Sequence, residues 1–303
     1  MSERCILGID IGGTTTKFAL VAANGEVLTT QTVPTLVKDG PTEFVADLIK
    51  HTEAMLHGST RKDGAASGIA VAVAGTLDSK RDRIVHNPNL EPLVGVPLVK
   101  ILREKFQCTV VLDADSNTAC LGELRFGAGR GAKRLLSLVV GTGLGVGVAV
   151  NGEIVRTAHE CIGDAGHVIV QPGGPLCTHG CKGCAEALVS AGALESRFKQ
   201  LSATALPTRE IIDSARAGNQ CARIALQEAG SWLGIAIASL ATVFFPDHIV
   251  ISGGMSEAGG LLLEPALRSF RSYASPACWN GVEVLPATLG WRATVVGAAS
   301  MLL

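Results

Sequence analysis

Apolar positions along the chain come in short continuous runs, interrupted by stretches with helical spacing. Residues 5–13 (CILGIDIGG) and 18–28 (FALVAANGEVL) are strand-length runs. Asn24-Gly25 is a hairpin signal inside the second, so the chain is expected to open as a β-meander. Over 41–56, Phe44, Leu48, Met55 and Leu56 fall near helical spacing and predict a helix. Residues 68–77 (GIAVAVAGTL) read as a fully buried strand and 96–106 (VPLVKILREKF) as a second helix. Residues 108–117 (CTVVLDADSN) read as a strand that runs into a loop.

From about residue 119 the plan restarts. Strands are expected within 134–143 (RLLSLVVGTG) and 146–155 (VGVAVNGEIV), with Asn151-Gly152 as another hairpin turn. A strand, a Gly-Gly turn and a helix follow over 246–270, and a closing helix over 295–303. In both halves an apolar strand enters a Gly/Thr turn and another leaves it: GIDIGGTTTKFALV and LVVGTGLGVGVAV. No Pro/Ser-rich linker separates the halves. The expectation is an α/β fold of two lobes sharing a cleft, residues 1–118 with 288–303 in one and 119–287 in the other.

Composition narrows the ligand class. The 303 residues carry 26 basic and 27 acidic side chains, which leaves no electrostatic footprint for nucleic acid or an anionic membrane. A small-molecule ligand is favoured. The nine cysteines are scattered except for one cluster, and the N-terminus shows no basic-then-apolar leader, which reads as a reduced, cytoplasmic protein. The apolar run 232–245 is shorter than the roughly 20 residues that cross a bilayer and is expected as a buried helix.

The two glycine turns carry the first chemistry. Glycines let successive N–H groups converge on an anion, and threonine hydroxyls with Lys17 add donors, so a nucleotide polyphosphate fits. The Walker pattern is absent, and the second turn leads into a strand rather than a helix, which argues against a dinucleotide fingerprint.

Asp10-Ile11-Gly12-Gly13-Thr14-Thr15-Thr16-Lys17 resembles the first phosphate motif of actin-like sugar kinases, and the whole chain resembles the kinase branch of the ROK family (repressor, ORF, kinase). The resemblance implies two RNase-H-like lobes with ATP in the cleft and Asp10 near Mg2+. It puts Gly12, Gly13, Thr14, Thr15 and Lys17, together with Gly141, Thr142 and Gly143, on the phosphates, and Gly253-Gly254 against the adenosine. It also implies a homodimer.

Phosphoryl transfer to a sugar needs a carboxylate within reach of the acceptor hydroxyl. Asp115, in VVLDADSNTACLGE, resembles the aspartate base of the family's E-N-D-A-N segment; Asp113 competes, and the spacing to Asn117 favours Asp115. The resemblance places Asn89, Asn117, Asp164, His167 and Glu186 on the sugar, with Gly75 lining its pocket. Asp164 stands where the family has glutamate, one methylene longer.

The stretch 167–184 (HVIVQPGGPLCTHGCKGC) suits a closed tetrahedral zinc site with a structural role. His167, Cys177 and Cys184 match the family's zinc ligands, but His179 stands at the position of the second cysteine. Either His179 ligates or Cys181 does; His179 is favoured because imidazole is an ordinary ligand there and needs no change of register.

The resulting expectation is an ATP-dependent hexose kinase, glucose before an N-acetylhexosamine such as N-acetylmannosamine or N-acetylglucosamine. Two alternatives lie outside enzymology. A sugar-responsive repressor would need a DNA-binding domain ahead of Asp10 and a basic patch. A catalytically silent sugar sensor would have no need of Asp115 and both glycine turns.

Overall fold

The computed structural model describes residues 5–57, 66–157 and 164–303. The chain divides into two compact units, one of Met1–Gly131, Gly152–Gly163 and Trp291–Leu303, the other of Ala132–Asn151 and Asp164–Gly290.

The first unit is built on a five-stranded sheet ordered β3-β2-β1-β4-β7, from β1 (Cys5–Ile11), β2 (Thr15–Ala22), β3 (Val27–Pro34), β4 (Gly68–Val73) and β7 (Thr109–Ala114). A two-stranded ribbon, β5 (Thr76–Leu77) with β6 (Ile84–His86), lies between β4 and β7 in sequence. The meander β1-β2-β3 is antiparallel, and β4 and β7 continue from β1 in parallel. Strands β1 and β4 are buried at every position, as their continuous apolar runs require of strands covered on both faces. Helices α1 (Pro41–His57) and α2 (Leu98–Phe106) bury Phe44, Leu48 and Met55, and Leu98, Val99 and Leu102, in the same core.

Strand β7 does not open into the expected loop. It passes directly into helix α3 (Asp115–Phe126), whose first residue is Asp115. Helix α3 packs along α10 (Ala293–Ser300), so residues 119–126, expected in the second lobe, lie in the first unit. Glycines make the approach possible: a Cβ on Gly297 would stand 1.7 Å from the Thr118 carbonyl oxygen, and one on Gly122 2.3 Å from that of Ala293.

The second unit repeats the layout with four strands ordered β9-β8-β11-β12: β8 (Arg134–Val140), β9 (Leu144–Val150), β11 (His248–Ser252) and β12 (Glu283–Pro286). Again a hairpin, β8 with β9, extends into parallel neighbours. The Asn151-Gly152 turn, with positive φ at both residues, leads to the short strand β10 (Glu153–Ile154). Four helices precede β11: α4 (Glu186–Val189), α5 (Ala191–Ser202), α6 (Thr208–Arg216) and α7 (Gln220–Phe244). Helix α8 (Gly260–Tyr273) and the short α9 (Pro276–Trp279) follow. The apolar run 232–245 belongs to α7, the one helix among the described residues long and apolar enough to cross a membrane. Its Ala229, Leu233, Ala236, Ile237 and Leu240 are buried, and α8 packs along it.

Candidate active site and metal centre

In the first unit the site starts at the end of β1. Asp10 and Lys17 face each other across the β1-β2 hairpin, with Lys17 Nζ 3.3 Å from Asp10 Oδ2. Burial pushes the Asp10 carboxyl above its ordinary value, and Lys17 pulls the other way. The turn Gly12-Gly13-Thr14 is fixed by a residue that no sequence signal marked. Thr35 donates its N–H to the Thr14 carbonyl at 2.9 Å and its hydroxyl to that of Gly12 at 2.8 Å. With the Gly12 and Thr14 carbonyls tied to Thr35, two of the turn's three carbonyl oxygens are engaged by the protein, which suits a loop that receives an anion.

Asp115 is half-buried at the first turn of α3. Burial, then the negative charge of Asp10, push its carboxyl up to about 7. Asp113, the competing carboxylate, is bound within the protein. Its side chain is 1% exposed and accepts from Arg156 through both oxygens, from Asn117 Nδ2 at 2.8 Å and from the Ala114 N–H at 2.7 Å, with Arg81 at 3.5 Å. Asn117, expected to contact the sugar, is fully buried and donates to Asp113, beneath the junction that carries Asp115.

Turn chemistry in HNPNL belongs to Asn87 rather than Asn89. Asn87 accepts from the N–H of Asn89 at 2.7 Å and of Leu90 at 3.2 Å and donates to the Ala74 carbonyl at 2.8 Å, a capping pattern that the Asn-Pro pair announces. Gly75 lies against Asn87 at φ +110°, and exposed Asn89 lies against Gly13, where an added Cβ would meet its Cβ at 3.2 Å.

In the second unit, the end of β8 gathers the remaining residues. The turn Gly141-Thr142-Gly143 likewise has two carbonyls occupied: Gly141 accepts from the Ala191 N–H at 2.8 Å, and Gly143 from the Gly141 N–H at 2.9 Å. Glu186 leans on this turn, its Oε2 accepting from the Leu144 N–H at 3.0 Å. A Cβ on Gly143 would stand 2.5 Å from that same oxygen. Thr142 and Glu186 also line a cavity of about 1380 Å³ with Gln171, Arg197 and Trp232. Gly253 backs onto the last residue of β8, where a Cβ would stand 2.3 Å from the Val140 carbonyl oxygen, and Gly254 starts a short 3-10 turn with nothing packed on it.

His167 follows the tight turn Asp164-Ala165-Gly166, where a Cβ on Gly166 would lie 2.0 Å from the Leu144 carbonyl oxygen. Its two nitrogens face different chemistry. Nδ1 stands 3.7 Å from Cys177 Sγ and 3.5 Å from Cys184 Sγ; Nε2 points to Glu186 Oε1 at 3.9 Å and to exposed Asp164 at 3.7 Å. His167, Cys177, Cys181 and Cys184 bring one donor atom each within 4.8 Å of one another.

Cys181 joins this group, and His179, the expected ligand, falls in a second one with His167, Cys177 and Glu186. The reason is the turn Cys177–Gly180. Gly180 N–H donates to the Cys177 carbonyl at 3.1 Å with φ +89°, and Cys177 N–H donates to the Cys181 carbonyl at 2.9 Å, which folds Cys181 back beside Cys177. His179 keeps its N–H on Cys177 Sγ at 3.3 Å, while its ring turns to Glu186, Nδ1 lying 3.4 Å from Oε1.

The cluster fits zinc. Tetrahedral Zn–S and Zn–N bonds of about 2.3 and 2.05 Å set an N···S edge of about 3.6 Å, which the two His167 distances bracket. Burial and the neighbouring thiols push Cys184 up to about 11 and raise Cys181. Burial also opposes ionisation of Cys177, but the N–H groups of Cys181 and His179 outweigh it and lower that thiol. Thiols crowded in this way ionise together only beside a cation.

The ROK family profile matches residues 6–303. The glucokinase of Halalkalibacterium halodurans is 34% identical over 312 residues, covering 98% of this chain and 94% of that protein. The ROK family glucokinase of Streptomyces griseus, solved in complex with glucose and AMPPNP, superposes with a TM-score of 0.86 at 30% identity over 98% of each chain. The xylose repressor of Bacillus spizizenii is 27% identical over 98% of this chain, which spans 76% of that protein. Since the profile and these similarities run nearly end to end, the chain belongs to the ROK family, with the actin-like fold and enzyme class of its ATP-dependent sugar kinases.

Proposed function

We propose that the chain transfers the γ-phosphoryl group of ATP to a hydroxyl of a hexose, glucose first, with Asp115 as the general base. The observation that carries this reading is the Asp115 carboxyl, pushed up to about 7 by burial and the negative charge of Asp10, with Lys17 pulling the other way. A carboxylate of that basicity accepts the hydroxyl proton as oxygen attacks phosphorus, a task that the ordinary value of 3.8 would serve poorly near neutral pH.

Asp10 would hold Mg2+, since burial penalises its charge and a cation beside it relieves the penalty. Magnesium, when bound, neutralises charge on the transferring group. The two glycine turns receive the phosphates, and Gly253-Gly254 the adenosine. Asn89 and Gly75 in the first unit, and Asp164, His167 and Glu186 in the second, orient the sugar; Asn117 acts through Asp113 on the placement of α3. His167, Cys177, Cys181 and Cys184 would hold structural zinc, which supplies a rigid centre for the knuckle and leaves His167 Nε2 for the substrate side.

The test is ADP release by purified protein with Mg-ATP against a panel of hexoses and N-acetylhexosamines, background ATPase subtracted. Turnover stimulated by glucose is expected; stimulation confined to N-acetylmannosamine or N-acetylglucosamine would reassign the substrate. Silence across the panel would favour a sugar sensor. Asp115→Asn should lower kcat by about two to four orders of magnitude while sugar binding, read by calorimetry, stays near that of the native chain. Normal turnover in that variant would remove Asp115 from the role.

A further inference from the structure

Two donor sets share the knuckle of the second unit. His167, Cys177, Cys181 and Cys184 form one; His167, Cys177, His179 and Glu186 form the other. Both draw on His167 and Cys177, so one ion takes one set. The first offers three thiolates and an imidazole, the donors of closed structural zinc sites, whereas the second has one thiolate, two imidazoles and the Glu186 carboxylate. With the first set on the metal, His179 has different work.

Its surroundings indicate what that work is. His179 Nδ1 faces Glu186 Oε1 at 3.4 Å, and its ring meets the His167 ring edge-on at 4.7 Å between centroids. The Thr178 hydroxyl lies 3.2 Å from the same Nδ1; a carboxylate can only accept, so turning Nδ1 to Glu186 puts the hydrogen on Nδ1, and the hydroxyl then accepts beside it. Glu186 then has neighbours at both ends: Oε2 accepts from the Leu144 N–H at 3.0 Å, and Oε1 faces His179 Nδ1 at 3.4 Å with His167 Nε2 at 3.9 Å.

We propose that His179 is a positioning residue for Glu186, and that Cys181, by taking the fourth metal position, leaves His179 available for it. The sugar half of this inference rests on the proposed role of Glu186 above; the ligand half does not. An imidazole on Oε1 fixes the carboxylate's rotation about its last bond, and so the direction in which it meets a sugar hydroxyl.

Three variants test it: His179→Ala, His179→Asn and Cys181→Ser. Asparagine sets an amide N–H close to where Nδ1 stands, yet is no zinc ligand of the thiolate-imidazole kind. Zinc per chain, measured after gel filtration against a chelator, should stay stoichiometric in both His179 variants and drop in Cys181→Ser. His179→Ala should raise the sugar KM about ten-fold with the ATP KM unchanged, and His179→Asn should recover most of that loss. Zinc lost from His179→Asn but kept by Cys181→Ser makes His179 the ligand and overturns the proposal; so does an unchanged sugar KM in His179→Ala.

Should Cys181→Ser fail to fold, the native chain loaded with cobalt(II) answers the same question. Its sulfur-to-metal charge-transfer band should have the intensity of three thiolates, and that of two would overturn the ligand assignment. Wild-type turnover on the sugar panel is the control for the reading beneath: its failure removes the sugar half, while zinc content and the cobalt spectrum decide the ligand half without any sugar.

Discussion

Asp115 couples activity and stability to pH through one carboxyl. In the proposed role of general base it works unprotonated, so kcat/KM should climb with pH through about 7 and level above it. A profile flat between about pH 5.5 and 8 would contradict the assignment. Stability runs the other way. The folded value is raised above the unfolded one, so from about pH 4 to 7 the folded chain keeps a proton that the unfolded chain has released, and stability falls as pH rises across that window. Above it the full penalty for the buried charge remains. Asp115→Asn should therefore melt higher than the native chain at pH 8, with an advantage that shrinks as pH falls toward 4; equal melting curves at both ends would show that burial is not what shifts this group. The sequence pointed to Asp115 over Asp113 by its spacing to Asn117. It could not show why Asp113 is unsuited: Arg156, which neutralises it, lies 43 positions away, and nothing local in either segment announces the pair.

At the scale of elements, the strand-to-helix junction sets the precision of the site. Strand β7 runs into α3 with no intervening loop, so Asp115 inherits its position from the sheet and from the packing of α3 along α10. That packing is close because Gly122 and Gly297 bring backbone to backbone. Gly297→Ala should cost about 3 kcal/mol or more in urea unfolding and also lower kcat, since the contact meets a carbonyl rather than a side chain able to move aside. Native stability in that variant would mean that the helices separate freely. The first residues of α3, Asp-Ser-Asn-Thr, favour turns and caps over helix interiors, so the sequence predicts a loop where the helix that carries Asp115 begins. The knuckle was legible in its residue types but not in its register. A count along the motif put His179 where a ligand belongs, whereas the turn at Gly180 folds the chain so that Cys181 reaches the others.

At the scale of the molecule, each unit uses the same device: a hairpin whose Gly/Thr turn has its first and last carbonyls occupied by the protein, followed by parallel strands. The duplicated pattern could be read in GIDIGGTTTKFALV and LVVGTGLGVGVAV because apolar runs and glycines are local signals. Thr35 and Ala191, which steady these turns, carry no such signal. Their roles exist only after distant segments have met.

The first unit is also discontinuous along the chain. Its sheet and α3 pack against α10, which comes after the entire second unit. During synthesis, the second unit has all its residues by Gly290, while the sheet made first still lacks the helix that covers β1 and β4. A nascent chain arrested with residues 1–290 outside the ribosome should thus present a protease-resistant second unit beside a first unit that is readily cut. Releasing α10 should protect both, so the segment translated first is the last to become native.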